Sequence, residues 1–335
     1  MTSASLDRLL AALVVGLAAT GLVSLRAGEP GTAPLFALHG LLGGALAAAV
    51  LVKLRRSLPR AAGRPKARTA LSLVVSLAAV AALAGGFLWV ASGRILSVGG
   101  WTVLTLHAWV GLVLVPLVVV HLVPRRWRLL RPSPSGLARA APRLLSRRAL
   151  ISGAAMTAVA VALTAATGTL DQLFGGERRF TGSRPLPPGG IPPVTTFFGE
   201  ATPAIDPAAW RLSVRGRIRR PADYGLDDLR RLGEQDSSAV LDCTSGWSIE
   251  TTWRGSPLAA VLDAAGLEPG AERVEIRAIT GWSTSLTIAE ARRAILATTV
   301  AGVPLPAGNG APCRLVVSDR RGLDWVKWVT SVEVA

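Results

Sequence analysis

Long runs of apolar residues dominate the first half of the chain, and short alternating patterns replace them in the second half. Five apolar stretches cover residues 9–25, 33–52, 70–91, 102–123 and 149–170. Each is close to the ~20 residues that an α-helix needs to cross ~30 Å of hydrocarbon. The first is not interpreted as a signal peptide, because only one basic residue, Arg8, precedes it and no small-residue cleavage site follows. The pattern predicts a five-helix transmembrane bundle over residues 1–170, surrounded by membrane lipid.

Basic residues are concentrated in two of the loops between these stretches. Residues 53–68 hold seven Lys or Arg and no acid, and residues 124–148 hold eight and no acid. The loops around Glu29 and Arg94 are nearly uncharged. Because basic loops remain in the cytoplasm, we expect a multi-pass protein of the cell membrane with a cytoplasmic N-terminus. The C-terminal domain is then extracytoplasmic.

The net charge of +16 raises the question of nucleic-acid binding, and its distribution answers that question. Residues 171–335 contain 19 Lys or Arg and 19 Asp or Glu, so the whole excess lies among the apolar stretches. A nucleic-acid site needs basic residues that line phosphates on one face. We therefore expect no nucleic-acid partner.

Two segments flank the fifth apolar stretch. Ser146, Arg147 and Arg148 precede it and resemble a twin-arginine export signal at an internal position, a route that carries folded domains. The same arginines could instead simply end a basic loop. Residues 171–194 follow the stretch, and their segment PLPPGGIPP predicts an extended, stiff linker.

Residues 195–335 show the mixed periodicity of an α+β domain. Period-two alternation predicts strands at residues 211–216 and 273–279, and late strands at 313–317 and 326–334. Short amphipathic helices are predicted at residues 258–265 and 288–297. Thr287 and Glu290 have the spacing of a capping box at the start of the second helix.

One of the two cysteines, Cys243, occupies an unusual position. It follows the strand-like segment 239–242 and precedes a Thr-Ser-Gly turn, and Cys313 is the other cysteine. A thiolate at a strand-to-loop junction is a plausible soft ligand for a metal. The alternatives are a buried structural cysteine, which is the commoner case, or one disulfide pair.

Three ordered blocks in this half carry a family resemblance. The run LDCTSGWSIETTWRGSPL at residues 241–258 resembles the cysteine segment of the sulfite oxidase superfamily. Its Cys-x3-Trp-x5-Trp-x-Gly-x-Pro-Leu spacing also resembles the periplasmic methionine sulfoxide reductase catalytic subunits. The blocks at residues 309–317 and 322–329 resemble the pterin-contacting loop and the closing strand of the same family.

The resemblance implies a sulfite-oxidase-type molybdopterin-binding fold, a molybdenum-molybdopterin cofactor and an oxidoreductase activity. It implies that Cys243 is the catalytic residue and binds molybdenum through sulfur. Thr195 and Phe198 lie where the reductase has a more polar cofactor loop. The resemblance implies further cofactor contacts from Asn309, Arg314, Trp325, Val326 and Lys327. A phosphate tail suits the guanidinium and the ammonium among them, whereas Arg314 in a surface ion pair and Asn309 in a turn are the structural alternatives.

All three histidines fall within the apolar stretches, where ionisable residues are candidates for function. His39 lies 14 residues before Lys53, and His107 lies 18 residues before Arg125. At ~1.5 Å per residue these two lie within ~6 Å of one depth, near the outer face. The spacing predicts at most one b-type haem, with His39 and His107 as iron ligands. His121 is closer to the interface.

Glycines near His39 allow two interpretations. Gly40, Gly43 and Gly44 would let a flat macrocycle approach the helix, or they would serve close packing against another helix while the histidines bond to carbonyl groups instead of a haem.

Three functions follow from these patterns. The first is a membrane-anchored molybdopterin-dependent oxidoreductase. It transfers an oxygen atom on a small sulfur- or nitrogen-oxide substrate outside the cytoplasm, and a membrane haem exchanges electrons with quinone or a redox partner protein. The second is the same molybdoenzyme with a haem-free anchor and a separate electron partner. The third is a non-catalytic extracytoplasmic binding domain on the same fold. The sequence encodes neither the substrate nor the direction of the reaction.

Overall fold

The computed structural model describes residues 3–57, 59, 66–122, 147–196 and 200–335. These form two compact units, one of residues 1–24 and 31–182 and one of residues 25–30 and 183–335. Ser146 of the twin-arginine-like motif and Phe198 of the predicted cofactor loop lie outside the described residues.

The first unit consists of apolar helices. Five helices in the described ranges are long and apolar enough to cross a membrane. They are α1 (Ser3–Ser24), α2 (Ala33–Ser57), α3 (Lys66–Ala91), α4 (Val103–Leu122) and α5 (Arg147–Leu173). A short hairpin of β1 (Ser97–Val98) and β2 (Trp101–Thr102) connects α3 to α4. The predicted apolar helical half of the chain is therefore confirmed.

Small and apolar side chains hold these helices together. A buried cluster joins the four helices α1, α2, α3 and α4. It contains Leu6, Leu13, Val14, Leu46, Ala49, Ala79 and Leu114. A Cβ placed on Gly44 would lie 2.8 Å from Cα of Ala160, so this glycine lets α2 approach α5 closely. The structure thus assigns Gly44 to helix packing. Lys53 near the end of α2 pairs with Asp7 in the first turns of α1, which places these two helix ends together.

The second unit contains two β-sheets with short helices. The first sheet has the order β11-β10-β7-β3, with β12 paired to β10 and β6 paired to β7. The second sheet has the order β5-β4-β13-β8-β9. The strands of the first sheet are β3 (Arg184–Pro185), β6 (Gln235–Asp242), β7 (Trp247–Pro257), β10 (Ile295–Val300), β11 (Val303–Pro304) and β12 (Arg314–Val316). Those of the second are β4 (Leu212–Gly216), β5 (Ala222–Tyr224), β8 (Arg273–Ala278), β9 (Ser283–Thr287) and β13 (Val329–Val334).

The described part of this unit also contains three short α-helices: α6 (Leu226–Arg231), α7 (Leu258–Ala265) and α8 (Ile288–Ala291). Helix α7 buries Leu258, Val261, Leu262 and Ala265 on one face, as its amphipathic pattern predicted. The α+β architecture predicted for this half is confirmed.

The helix predicted over residues 288–297 is wrong in its second half. The capping box of Thr287 and Glu290 forms and starts α8, but the helix ends at Ala291. Residues 295–300 form β10, which pairs with both β7 and β12 and buries Ile295, Leu296 and Ala297 completely or nearly so. Pairing on both edges overrides the helical propensity of the alanine-containing segment.

The proline-rich segment is integrated into the second unit more closely than a stiff tether would be. Arg184 and Pro185 form β3, which runs parallel to β7. The N–H groups of Leu186 and Gly189 donate to the carbonyl oxygens of Ser248 and Glu250, each at 2.8 Å. Backbone donors left free in a proline-rich chain find partners on the exposed edge of β7.

Candidate functional site

Cys243 lies at the junction of a strand and a turn, as the sequence predicted. Strand β6 ends at Asp242, and β7 begins at Trp247. The Cys243 N–H donates to the Trp247 carbonyl at 2.9 Å, and Gly246 closes the turn with a φ of 100°. That angle favours glycine over residues with a Cβ. The Sγ atom lies 3.0 Å from Oγ of Ser245, and the residue is 8% exposed.

A cavity of the second unit opens beside this sulfur. Its volume is about 130 Å³, and it is open to solvent on one side. Its wall is formed by Pro193, Thr195, Thr196, Glu200, Leu241, Cys243, Thr244, Trp247, Ala278, Thr280, Trp282, Arg314, Gly322, Leu323, Trp325, Lys327 and Trp328. The structure thus brings together five of the residues selected from the sequence: Thr195, Cys243, Arg314, Trp325 and Lys327.

Arg314 is a buried cation in the wall of this cavity. It is 3% exposed, and its Nη1 donates to the Asn309 carbonyl at 2.9 Å. Its guanidinium carbon lies 5.3 Å from the ring centre of Trp253 and 5.9 Å from that of Trp325. Its Nε has no hydrogen-bond partner among the described residues. Burial lowers the pKa of Arg314 to about 10, and Cys243 acts in the opposite direction. The side chain is therefore charged at neutral pH and has a donor available for an anion.

Lys327 is the second cation of the wall. Its Nζ donates to the carbonyl oxygens of Thr195 at 2.6 Å and Gly308 at 2.9 Å. Burial, reinforced by the charge of Arg314, lowers the pKa of Lys327 to about 8, against the raising effects of Cys243 and Glu200. An ammonium has three donors, so one remains for a ligand.

Two residues selected from the sequence do not line the cavity. The Asn309 side chain donates from Nδ2 to the Pro192 carbonyl at 2.9 Å, and its own carbonyl accepts from Arg314. Val326 is buried, and its carbonyl accepts from the Leu315 N–H at 2.8 Å. Both residues therefore pack behind the residues that line the cavity.

The sequence analysis missed several residues of the wall. Four tryptophans line it: Trp247, Trp282, Trp325 and Trp328. Of these, only Trp325 was selected. The polar residues Glu200, Thr244 and Thr280 were also missed. Thr280 and Trp282 lie on the connection between β8 and β9, and their position in an uncharged turn gave no sequence signal of a site.

The protein itself offers few metal ligands here. The described parts of the chain contain no group of three or more His, Cys, Asp or Glu side chains that could hold a metal ion. Cys313 is fully buried, and burial raises the pKa of its thiol. A single thiol beside one buried and one half-buried cation suits a metal whose other ligands belong to an anionic organic cofactor. The donor set of the cavity therefore fits a phosphate-bearing, pterin-held metal.

Two histidines of the first unit form a separate candidate site. The rings of His39 and His107 have centroids 6.1 Å apart and planes at 86°. His107 Nδ1 lies 2.7 Å from the Ala82 carbonyl oxygen, which can only accept, so this nitrogen carries the proton. His39 Nδ1 lies 2.8 Å from the Thr20 hydroxyl, whose own proton is directed to the Gly16 carbonyl at 2.8 Å. In both rings Nε2 therefore keeps its lone pair.

Comparisons with known proteins show which family the chain belongs to. A family profile described as oxidoreductase molybdopterin binding domain matches residues 199–335. The chain is 30% identical over 240 residues to the protein-methionine-sulfoxide reductase catalytic subunit MsrP of Gluconobacter oxydans (strain 621H), covering 62% of this chain and 75% of the relative. It is 27% identical over 168 residues to the uncharacterized oxidoreductase YuiH of Bacillus subtilis (strain 168), covering 48% and 84%.

A solved structure, the sulfane dehydrogenase SoxCD from Paracoccus pantotrophus, aligns with 40% of this chain and 40% of its own at a TM-score of 0.38 and 23% identity. The family profile covers residues 199–335 of the cavity-bearing unit, and the Gluconobacter alignment spans 75% of that relative. The resemblance of the three sequence blocks is therefore confirmed: the chain belongs to the sulfite oxidase and methionine sulfoxide reductase superfamily of molybdopterin-binding oxidoreductases.

Proposed function

We propose that this oxidoreductase is a membrane-anchored S-oxide reductase whose Cys243 binds molybdenum. The observation that carries the proposal is the placement of the Cys243 thiol, the Arg314 guanidinium and the Lys327 ammonium in the wall of one cavity. The thiol would hold the metal, and the two cations would hold the anionic tail of the cofactor. Asn309 would act indirectly, by fixing the carbonyl that accepts from Arg314.

The wall of the cavity favours a sulfur substrate of low polarity. Two observations point the same way: the Gluconobacter relative is named for methionine sulfoxide, and the cavity here has four tryptophans. Aromatic rings make favourable contacts with sulfur and methyl groups. We therefore infer a substrate that carries an S-oxide on a small apolar group, such as a methionine sulfoxide side chain.

In the proposed reaction a sulfoxide takes up two electrons and two protons, its sulfur–oxygen bond breaks, and a sulfide and one water molecule are formed. When bound, molybdenum-molybdopterin supplies two-electron oxygen-atom transfer. The protein contributes the surroundings: Trp247, Trp282 and Trp328 would orient the apolar part of the substrate and limit the access of water. Thr244 and Thr280 place hydroxyl groups at the same wall, where they can donate to the oxygen of the S-oxide.

His39 and His107 would hold a b-type haem, which when bound supplies electron transfer within the membrane unit. Their ring centroids lie 6.1 Å apart, so one metal ion could bind a nitrogen of each ring. The Nδ1 hydrogen bonds to Thr20 and Ala82 are of the kind that orients metal-bound histidines. Gly86 supports the same arrangement, because a Cβ there would lie 3.0 Å from Cε1 of His107.

The orientation that we propose places the molybdenum site outside the cytoplasm. Residues 25–30 and 183–335 form one compact unit, and such a unit lies on one side of a membrane. The basic loops at residues 53–68 and 124–148 favour the cytoplasmic side for the opposite helix ends. Quinol or a redox partner protein would be the source of electrons. The Arg147-Arg148 pair is consistent with export of the folded domain.

Turnover with an artificial reductant tests the proposed reaction. Purified protein that carries molybdenum is expected to oxidise reduced viologen dye when a methyl sulfoxide or free methionine sulfoxide is added. Sulfite with an artificial electron acceptor is the matched assay for the opposite direction. Activity with sulfite and none with S-oxides would contradict the proposed direction and substrate class.

The depressed pKa of Lys327 predicts a pH dependence of cofactor binding. With a pKa near 8, Lys327 in the cofactor-free protein is mostly protonated at pH 7 and mostly neutral at pH 9. A bound phosphate stabilises the charged form, so the affinity for the cofactor should fall by about tenfold between these pH values. Titration of cofactor-free protein with molybdopterin would measure this change. Lys327→Arg stays charged throughout, so an equally steep fall in that variant would contradict the assignment.

A further inference from the structure

A buried ion pair lies directly behind Cys243. Asp242, the last residue of β6, pairs with Arg321 at 3.2 Å, and both side chains are 4% exposed. The same Nη2 atom of Arg321 also lies 3.2 Å from the Cys243 carbonyl oxygen. One guanidinium nitrogen therefore contacts both the side chain that precedes the cysteine and the main chain of the cysteine itself.

The backbone immediately after Arg321 packs closely against Asp242 and Cys243. A Cβ on Gly322 would lie 3.2 Å from the Asp242 carbonyl oxygen and 3.5 Å from Cα of Cys243. Gly322 begins the 3-10 helix Gly322–Asp324, and together with Leu323 and Trp325 it lines the cavity. Arg321 thus joins the strand end that presents the thiol to the adjoining segment, which contributes Gly322, Leu323 and Trp325 to the same wall.

Stability alone does not account for a pair in this position. Removing two charges from water is costly, and buried ion pairs are often replaced by apolar residues without loss of stability. Breaking such a pair by removing one partner is destabilising, because the other charge is left buried. Arg321 also donates to the Cys243 carbonyl, and an apolar side chain at position 321 could not form that hydrogen bond.

We infer that Arg321 and Asp242 are positioning residues that fix the main chain of Cys243, and so the direction in which its sulfur meets the metal. This inference rests on the proposed ligand role of Cys243. Groups behind a metal ligand orient it, and their loss typically changes metal affinity or activity by about 10–100-fold. Without the guanidinium the Cys243 carbonyl keeps the bond from the Gly246 N–H at 3.0 Å, which lies within the turn itself. The turn at residues 243–246 is then no longer joined to residue 321, and it can change its orientation together with the thiol.

The test compares single and double replacements in the full-length holoenzyme. Asp242→Leu and Arg321→Met would each leave one buried charge and lower the Tm by about 10 °C. The double variant removes both charges and is expected to regain most of the wild-type Tm. Its Mo(V) electron paramagnetic resonance spectrum should nevertheless stay altered, and its kcat should remain about tenfold below that of wild type. The exposed pair Arg215 and Asp223 serves as the control, and its double replacement should leave spectrum and kcat unchanged.

The outcomes separate positioning from a purely structural role. A double variant with wild-type spectrum and kcat would overturn the inference. If the double variant fails to fold or to bind molybdenum, Arg321→Lys decides, because it keeps the charge but loses the planar guanidinium. An altered Mo(V) spectrum in that variant supports positioning, and an unaltered one overturns it. An unchanged spectrum in Cys243→Ser would instead show that the proposed ligand itself is wrong.

Discussion

The variant Cys243→Ser is expected to lose at least about 100-fold in the rate of S-oxide reduction with an artificial reductant. The reason is that a direct metal ligand contributes more than the groups behind it, whose loss already costs about 10–100-fold. A hard alkoxide or hydroxyl in place of a soft thiolate also changes the ligand field of the metal. Molybdenum analysis, the Mo(V) spectrum and kcat with methionine sulfoxide measure the effect.

Cys313→Ser is the matched control for this experiment. Cys313 is also buried in the second unit, but it does not line the cavity, and the raised pKa of its thiol keeps it protonated. We expect a small loss of stability from the buried hydroxyl and no change in the Mo(V) spectrum. Equal losses of activity and equal spectral changes in the two variants would show that Cys243 has no special role.

Replacing His39 or His107 with alanine is expected to abolish the haem absorbance of the purified protein. Each ring would hold the iron through one nitrogen, so a single replacement removes one of its two protein ligands. Activity driven by quinol should then fall to background. Activity driven by an artificial reductant that reaches the molybdenum site directly should persist. The optical spectrum and the two assays, performed on the same preparation, separate electron supply from chemistry at molybdenum.

His121→Ala is the control for the histidine experiment, because His121 lies at the end of α4, 14 residues from His107. It should keep both the absorbance and the quinol-driven activity. Wild-type protein that contains molybdenum but no haem would contradict the proposed pair and favour a haem-free anchor with a separate electron partner. Loss of haem in His121→Ala, with retention in His39→Ala, would show that the proposed ligands are wrong.

Several features could be predicted from the sequence because they depend on local pattern. The five apolar helices follow from the length of their apolar runs. The position of Cys243 at the end of β6 follows from the alternation before it and the Gly246 turn after it. The cap at Thr287 and Glu290 was also predictable, since it depends on residues three positions apart.

Other features depend on residues far apart in the chain and were not predictable. Asp242 and Arg321 are separated by 79 positions, and neither has a neighbour in sequence that signals a buried pair. The family resemblance implied a cofactor contact for Asn309, but its side-chain amide donates to the Pro192 carbonyl, in the segment that follows the pairing of residues 184–189 with β7. Strand β10 was mistaken for helix because its pairing partners, β7 and β12, lie elsewhere in the sequence.

For this protein the sequence by itself determined the division into an apolar helical half and an α+β half, the family, and the residue that presents the thiol. These properties depend on the lengths of apolar runs, on the periodicity of apolar residues and on short motifs. All of these involve residues that are close together in the chain. Only the tertiary structure decided which side chains enclose the thiol, because the tryptophans, the cations and the buried ion pair reach it from strands and turns that contact one another only after folding. It also decided the separation of His39 and His107, since the distance between two helices depends on the small residues where they pack.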